Sequence, residues 1–155
     1  VRLKTEHYFG RSLTALVIAA HEVGHAMQDA TGYAPLQTRT RIAEVADFIH
    51  KAGAVFVIAS PAIAALLRHP DGLLIGIGAA VLMNISAVVM HAVTLPVEFD
   101  ASFNRAMVLL RHGKFIPESE MGAAHHILSA AAYTYVASAL IDLINLPRLV
   151  RGLWA

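Results

Sequence analysis

His21, Glu22 and His25 lie inside the stretch AAHEVGHAMQ, as a pentapeptide of the form HExxH. On a helix, residues four apart share one face a turn apart, so both imidazoles can reach a single tetrahedral Zn2+. Glu22 is rotated about 100° from His21. It would sit beside the metal rather than on it, placed to take a proton from a metal-activated water and pass it to a leaving amine. That division of roles is the chemistry of zinc peptidases that carry this motif. The residues just before it, LTALVIAA from Leu13 to Ala20, carry no charge. An unpaired glutamate buried beside such a run would cost several kcal/mol, which a metal and its water would offset. A helix with two surface histidines and a locally bonded glutamate is the plainer reading, and the apolar flank argues against it.

Two ligands leave zinc underbound, so a third protein ligand is needed, with the fourth position open to water. The chain has no Cys, so the donor must be a histidine or a carboxylate. Glu98, Asp100, His91, His125 and His126 are the candidates. Glu98 follows an apolar hairpin that brings the chain back to the membrane face holding HExxH, and it opens a helix just past Pro96. His91 reads better as a hydrogen-bonded polar residue within a span than as a ligand.

The elements that must position these groups are apolar. Of 155 residues, 57% are hydrophobic and 15% charged, against about 25% charged in an ordinary soluble domain. Mean hydropathy is +0.59. The chain is therefore expected to be an all-α membrane helical bundle, a single domain over 1–155, with about three transmembrane or membrane-associated helices. A net charge of +1 leaves no dense basic stripe for phosphates, which argues against a nucleic-acid partner. The chain opens at Val1 with no signal-peptide pattern, as expected of a piece of a longer protein lacking its N-terminal segment.

VRLKTEHY reads as a short strand or extended lead-in. Ser12 is a plausible N-cap for a helix from Leu13 to about Ala30, with Gly32 supplying the stop. YAPLQTRTR, Tyr33 to Arg41, reads as a polar linker. IAEVADFIHK then leads into Ala52 to Leu67, which has no ionised residue and is expected to kink at Pro61. RHPDG is a polar turn. Leu73 to Leu95 contains no Asp, Glu, Lys or Arg and would reach about 34 Å as a helix, enough to cross a bilayer. Pro96 is expected to end it. Glu98 to Gly113 reads as an amphipathic helix, and Met121 to Leu146 as a third apolar segment bearing His125, His126, Tyr133, Tyr135 and Asp142.

Three stretches, YFGRSLTALVIAAHEVGHAMQDATGYAPLQTR, LPVEFDASFNRAM and AAAYTYVASAL, resemble in order the neutral, membrane-bound bacterial zinc metallopeptidases of the YugP type (zinc peptidase 2 family). The resemblance covers almost the whole chain. It implies His21 and His25 as zinc ligands, Glu22 as catalytic base and Glu98 as third ligand, in a gluzincin-like site. Related membrane peptidases of the HtpX and CAAX-processing kind place an Asp four residues after that Glu. Here the position is Ser102, and the nearby acid Asp100 is the expected partner orienting a zinc histidine. Tyr135, His126 and Arg105 are candidate oxyanion donors, none of them assigned.

Nine of the twelve Lys and Arg fall on the side of the hairpin that holds HExxH and Glu98; Arg68 lies in the turn, and Arg148 and Arg151 follow the last segment. The positive-inside rule places that side at the cytoplasmic face of a bacterial inner membrane. The expected function is zinc-dependent endoproteolysis of membrane-associated or misfolded polypeptides. Alternatives are a His-rich membrane bundle that binds haem or metal ions through His91, His125 and His126, and an inactive peptidase-like scaffold. Oligomeric state is not legible.

Overall fold

The computed structural model describes residue 1 and residues 3–151, without the side chains of residues 146 and 148–151. Arg2 and the Arg148 and Arg151 side chains, counted in the orientation argument, lie outside the described residues. Every element among these is helical: α1 (Thr5–Tyr8), α2 (Leu13–Ala30), α3 (Ala34–Leu67), α4 (Asp71–Phe99), a wide π-helical segment (Asp100–Ala106), α5 (Met107–His112), a 3-10 turn (Glu118–Glu120) and α6 (Met121–Arg151). The all-α expectation holds. The chain forms two compact units, one of residues 1–38 and 93–136, the other of residues 39–92 and 137–155.

In the first unit, α2 is bounded as its sequence dictates. The Ser12 hydroxyl accepts from the Ala15 amide at 3.2 Å, satisfying one of the free donors of the first turn. At the other end Gly32 takes φ +63°, which lets its amide reach the Asp29 carbonyl and the Tyr33 amide reach the Gln28 carbonyl. One face of α2, through Val17 and Ala20, packs with Ala106, Leu110, Ala124 and Leu128 into the apolar core of this unit.

Three expectations about this unit need correction. The opening residues form the short helix α1, whose amides at residues 7–9 bond back to the carbonyls of Lys4 and Thr5. The stretch from Tyr33 is no linker, because α3 starts at Ala34 and runs through it. Nor does Pro96 end α4, which continues past it to Phe99 and into the π segment. A proline removes one donor and crowds the preceding turn, but a long helix loses only that bond locally. The helix does stop at Gly113, although the left-handed residue there is Lys114, at φ +49°.

The second unit contains most of α3 and α4, and here the apolar side chains face outward. Phe48, Ile58 and Leu66 on α3 and Leu74, Leu82 and Ile85 on α4 are all exposed. Three stretches, Ala34–Leu67, Asp71–His112 and Glu118–Asn145, are long and apolar enough to cross a membrane, and only 11% of each apolar window is buried. A soluble core helix would bury such a face, so these are surfaces for lipid. Polar groups in this unit bond locally or pair. The Ser60 hydroxyl donates to the Val57 carbonyl at 2.9 Å. That is the carbonyl Pro61 would otherwise have served from its missing N–H, which explains how α3 passes the proline. His91 pairs with Asp142 of α6 at 3.3 Å, in keeping with a bonded polar residue rather than a ligand.

A close backbone approach in the first unit joins α2 to the π segment. A Cβ built on Gly24 would stand 2.5 Å from the Ala101 carbonyl oxygen and 3.2 Å from its carbon, all backbone atoms that cannot swing away. Gly24→Ala is therefore expected to force the two helices apart and to cost about 1–3 kcal/mol. Thermal unfolding in detergent, read against Gly122→Ala, whose added Cβ meets open space, checks this.

Candidate metal centre

The Gly24–Ala101 contact brings one face of α2 against α4 and the π segment. His21 and His25, a turn apart on α2, approach each other at 3.1 Å between their Nε2 atoms. Glu98, near the end of α4 and 5% exposed, sets its Oε2 at 3.3 Å from His21 Nε2 and 3.5 Å from His25 Nε2. Among the described residues, these three form the group that could hold a metal ion. Zinc–ligand bonds of about 2.0–2.1 Å at tetrahedral angles place neighbouring ligand atoms about 3.3 Å apart. The observed spacings bracket that value, and two imidazoles with one carboxylate suit Zn2+. The donor set fits.

These groups also interact with one another. The Glu98 carboxylate beside His25 raises the proton affinity of that imidazole above the ordinary histidine value, against the opposing effect of its partial burial. Gln28 and the negative charge of Glu22 act in the same direction. Glu22 is half-buried beside the cluster and is not one of its three converging ligands.

A second layer of bonds holds the rings. Ser102 Oγ lies 3.1 Å from His21 Nδ1. His25 Nδ1 lies 3.0 Å from Gln28 Oε1, and Gln28 Nε2 donates to the Val97 carbonyl at 2.8 Å and to Asp100 Oδ2 at 2.9 Å. Asp100 also accepts from Arg105 Nε at 2.6 Å and Asn104 Nδ2 at 3.1 Å. The Arg105 guanidinium in turn lies 5.4 Å from the centre of the Tyr33 ring. The expectation that Asp100 orients a histidine directly is therefore corrected: Asp100 holds Gln28, and Gln28 touches the ring.

Ser102 and Gln28 were not singled out as ring partners from sequence, though a signal existed. Gln28 falls at the helical repeat of His21 and His25, and Ser102 one turn past Glu98, so each shares the face of the group it serves. Of the other candidates, Arg105 is committed to Asp100. The His125 ring packs against Phe103 at 5.0 Å and lies exposed, as does His126. His91 belongs to the other unit.

Removing the Asp100 carboxylate leaves a partly buried guanidinium without its carboxylate acceptor and the Gln28 amide with only the Val97 carbonyl. Asp100→Ala is expected to lower unfolding free energy by about 1–3 kcal/mol, with a smaller loss in Asp100→Asn. Equilibrium unfolding in mixed micelles measures both.

Comparison with known proteins places the chain in a family. In Bacillus subtilis (strain 168), the protein described as "Putative membrane protease YugP" is 38% identical over 154 residues, covering 97% of this chain and 63% of its own length. The chain thus spans under two thirds of that relative. No solved structure gives a significant match. A family profile described as "Putative neutral zinc metallopeptidase" matches residues 1–153, and with the match running nearly end to end, the chain belongs to that family.

Proposed function

We propose that the protein is a zinc-dependent membrane endopeptidase that hydrolyses membrane-associated or misfolded polypeptides at the cytoplasmic face of a bacterial inner membrane. The observation carrying this reading is the convergence of His21, His25 and Glu98 at 3.1–3.5 Å, with Glu22 of the same helix outside that group. His21, His25 and Glu98 would hold the cation in a gluzincin-like arrangement. When bound, zinc supplies a Lewis acid that polarises a scissile carbonyl and makes water nucleophilic near neutral pH.

The remaining steps fall to the protein's own groups. Glu22 accepts a proton from the attacking water as its oxygen bonds to the peptide carbon. It then delivers that proton to the amine nitrogen as the C–N bond breaks. Buried Val17 and Ala20 back the motif with apolar surface and limit competing bulk water. The lipid-facing helices support membrane polypeptides as the substrate class. Nine of twelve basic residues on the site's side of the hairpin support the cytoplasmic face. The haem or ion-conducting reading has no comparable support, with His125 and His126 exposed and His91 engaged by Asp142.

Glu22→Gln is expected to keep zinc while lowering the hydrolysis rate about 10²- to 10⁴-fold; rates on an unfolded casein-like substrate, with metal content measured in parallel, test this. Glu98→Ala should lose zinc and activity together. Retained hydrolysis in Glu22→Gln would reject the assigned base. The chain has no Cys, so a single His69→Cys in the hairpin turn reports sidedness. A membrane-impermeant maleimide should label it on intact spheroplasts and fail to label Ala30→Cys.

A further inference from the structure

Gln28 is fully buried, at 0% exposure, and its amide touches three partners whose hydrogen-bonding abilities differ. The Val97 carbonyl and the Asp100 carboxylate can only accept. Both lie on the same atom of Gln28, at 2.8 and 2.9 Å, so that atom must be the NH2 and both its hydrogens are used. The atom facing His25 Nδ1 at 3.0 Å must then be the carbonyl oxygen, which can only accept. Nδ1 has to be the donor. A neutral ring with its proton on Nδ1 has its lone pair on Nε2, the atom that points at His21 and Glu98. Two acceptors on one strand of the helix pair thus fix the tautomer of a ring on the other.

The Ser102 hydroxyl imposes no such choice on His21, because it both donates and accepts. The two imidazoles of the motif are held differently. We infer that Gln28 is the positioning residue of the metal centre: its carbonyl oxygen keeps His25 protonated at Nδ1 and open at Nε2, and Val97 and Asp100 keep that carbonyl turned toward the ring. The inference deepens the proposed function and rests on it for the identity of the cation; the tautomer itself does not depend on zinc.

Two substitutions separate this role from simple bridging between helices. Gln28→Met keeps the length and loses every polar contact. Gln28→Glu loses both donors but keeps an acceptor for Nδ1. If Gln28 mattered only as a bridge to Val97 and Asp100, Glu would be as damaging as Met or worse. If the acceptor toward His25 matters, the two part company. With the full chain in detergent, zinc affinity by chelator competition is expected to fall about 10- to 100-fold in Gln28→Met and to stay within a few-fold of the parent in Gln28→Glu. The nitrogen-15 signals of the metal-free His25 ring should show a protonated Nδ1 in the parent and in Gln28→Glu, and an Nε2-protonated fraction in Gln28→Met at a pH where the ring is neutral.

Unchanged zinc affinity with an unchanged ring signature in Gln28→Met overturns the inference while leaving the peptidase reading intact. A parent that takes up no zinc defeats the peptidase reading, and the ring signals still decide the tautomer. Should Gln28→Met fail to fold, loss of the protonated Nδ1 signal in Gln28→Glu overturns the inference by itself.

Discussion

The close approach of Gly24 to the Ala101 carbonyl sets the distance on which the site depends. A bare Cα on α2 lets the wide-turned backbone of the π segment come to van der Waals contact. From that single proximity the paired groups follow: Glu98 and Ser102 one turn apart on one helix, His21, His25 and Gln28 at the matching repeat on the other. A larger residue in the fourth position of the motif would hold each of these bonds open at once. π-helical turns inside long helices often mark functional sites, and here the wide turn begins two residues after Glu98.

The polar groups of the site form a closed account. In apolar surroundings each buried donor or acceptor needs a partner. Gln28 spends both hydrogens and its oxygen. Asp100 takes three donors. Glu98 faces two imidazoles. The two histidines that follow LTALVIAA thus meet polar partners on both helices, Gln28 on their own and Glu98 and Ser102 on the other.

Much of this was legible in the sequence because it rests on local rules. The HExxH spacing, the Ser12 cap, the Gly32 stop and the uncharged run from Leu73 to Leu95 each follow from backbone geometry or hydropathy within a short window. Expecting Glu98 beside His21 and His25 needed more than a short window, namely the order in which motif, apolar hairpin and carboxylate follow along the chain. What was missed depended on long-range partners. Pro96 reads locally as an end, yet α4 passes it. YAPLQTRTR reads as a linker by polarity, yet its residues extend the helix that becomes a span. Asp100 was placed in the right network but one residue too close to the ring, because the bond that intervenes joins positions 28 and 100.

The stretch from Asp71 to His112 is continuous, so a helix long and apolar enough to cross a membrane also carries Glu98. An apolar length out of step with its bilayer is relieved by tilt or axial slip. A stretch of this kind answers to hydrocarbon thickness, and Glu98 belongs to the same run of backbone.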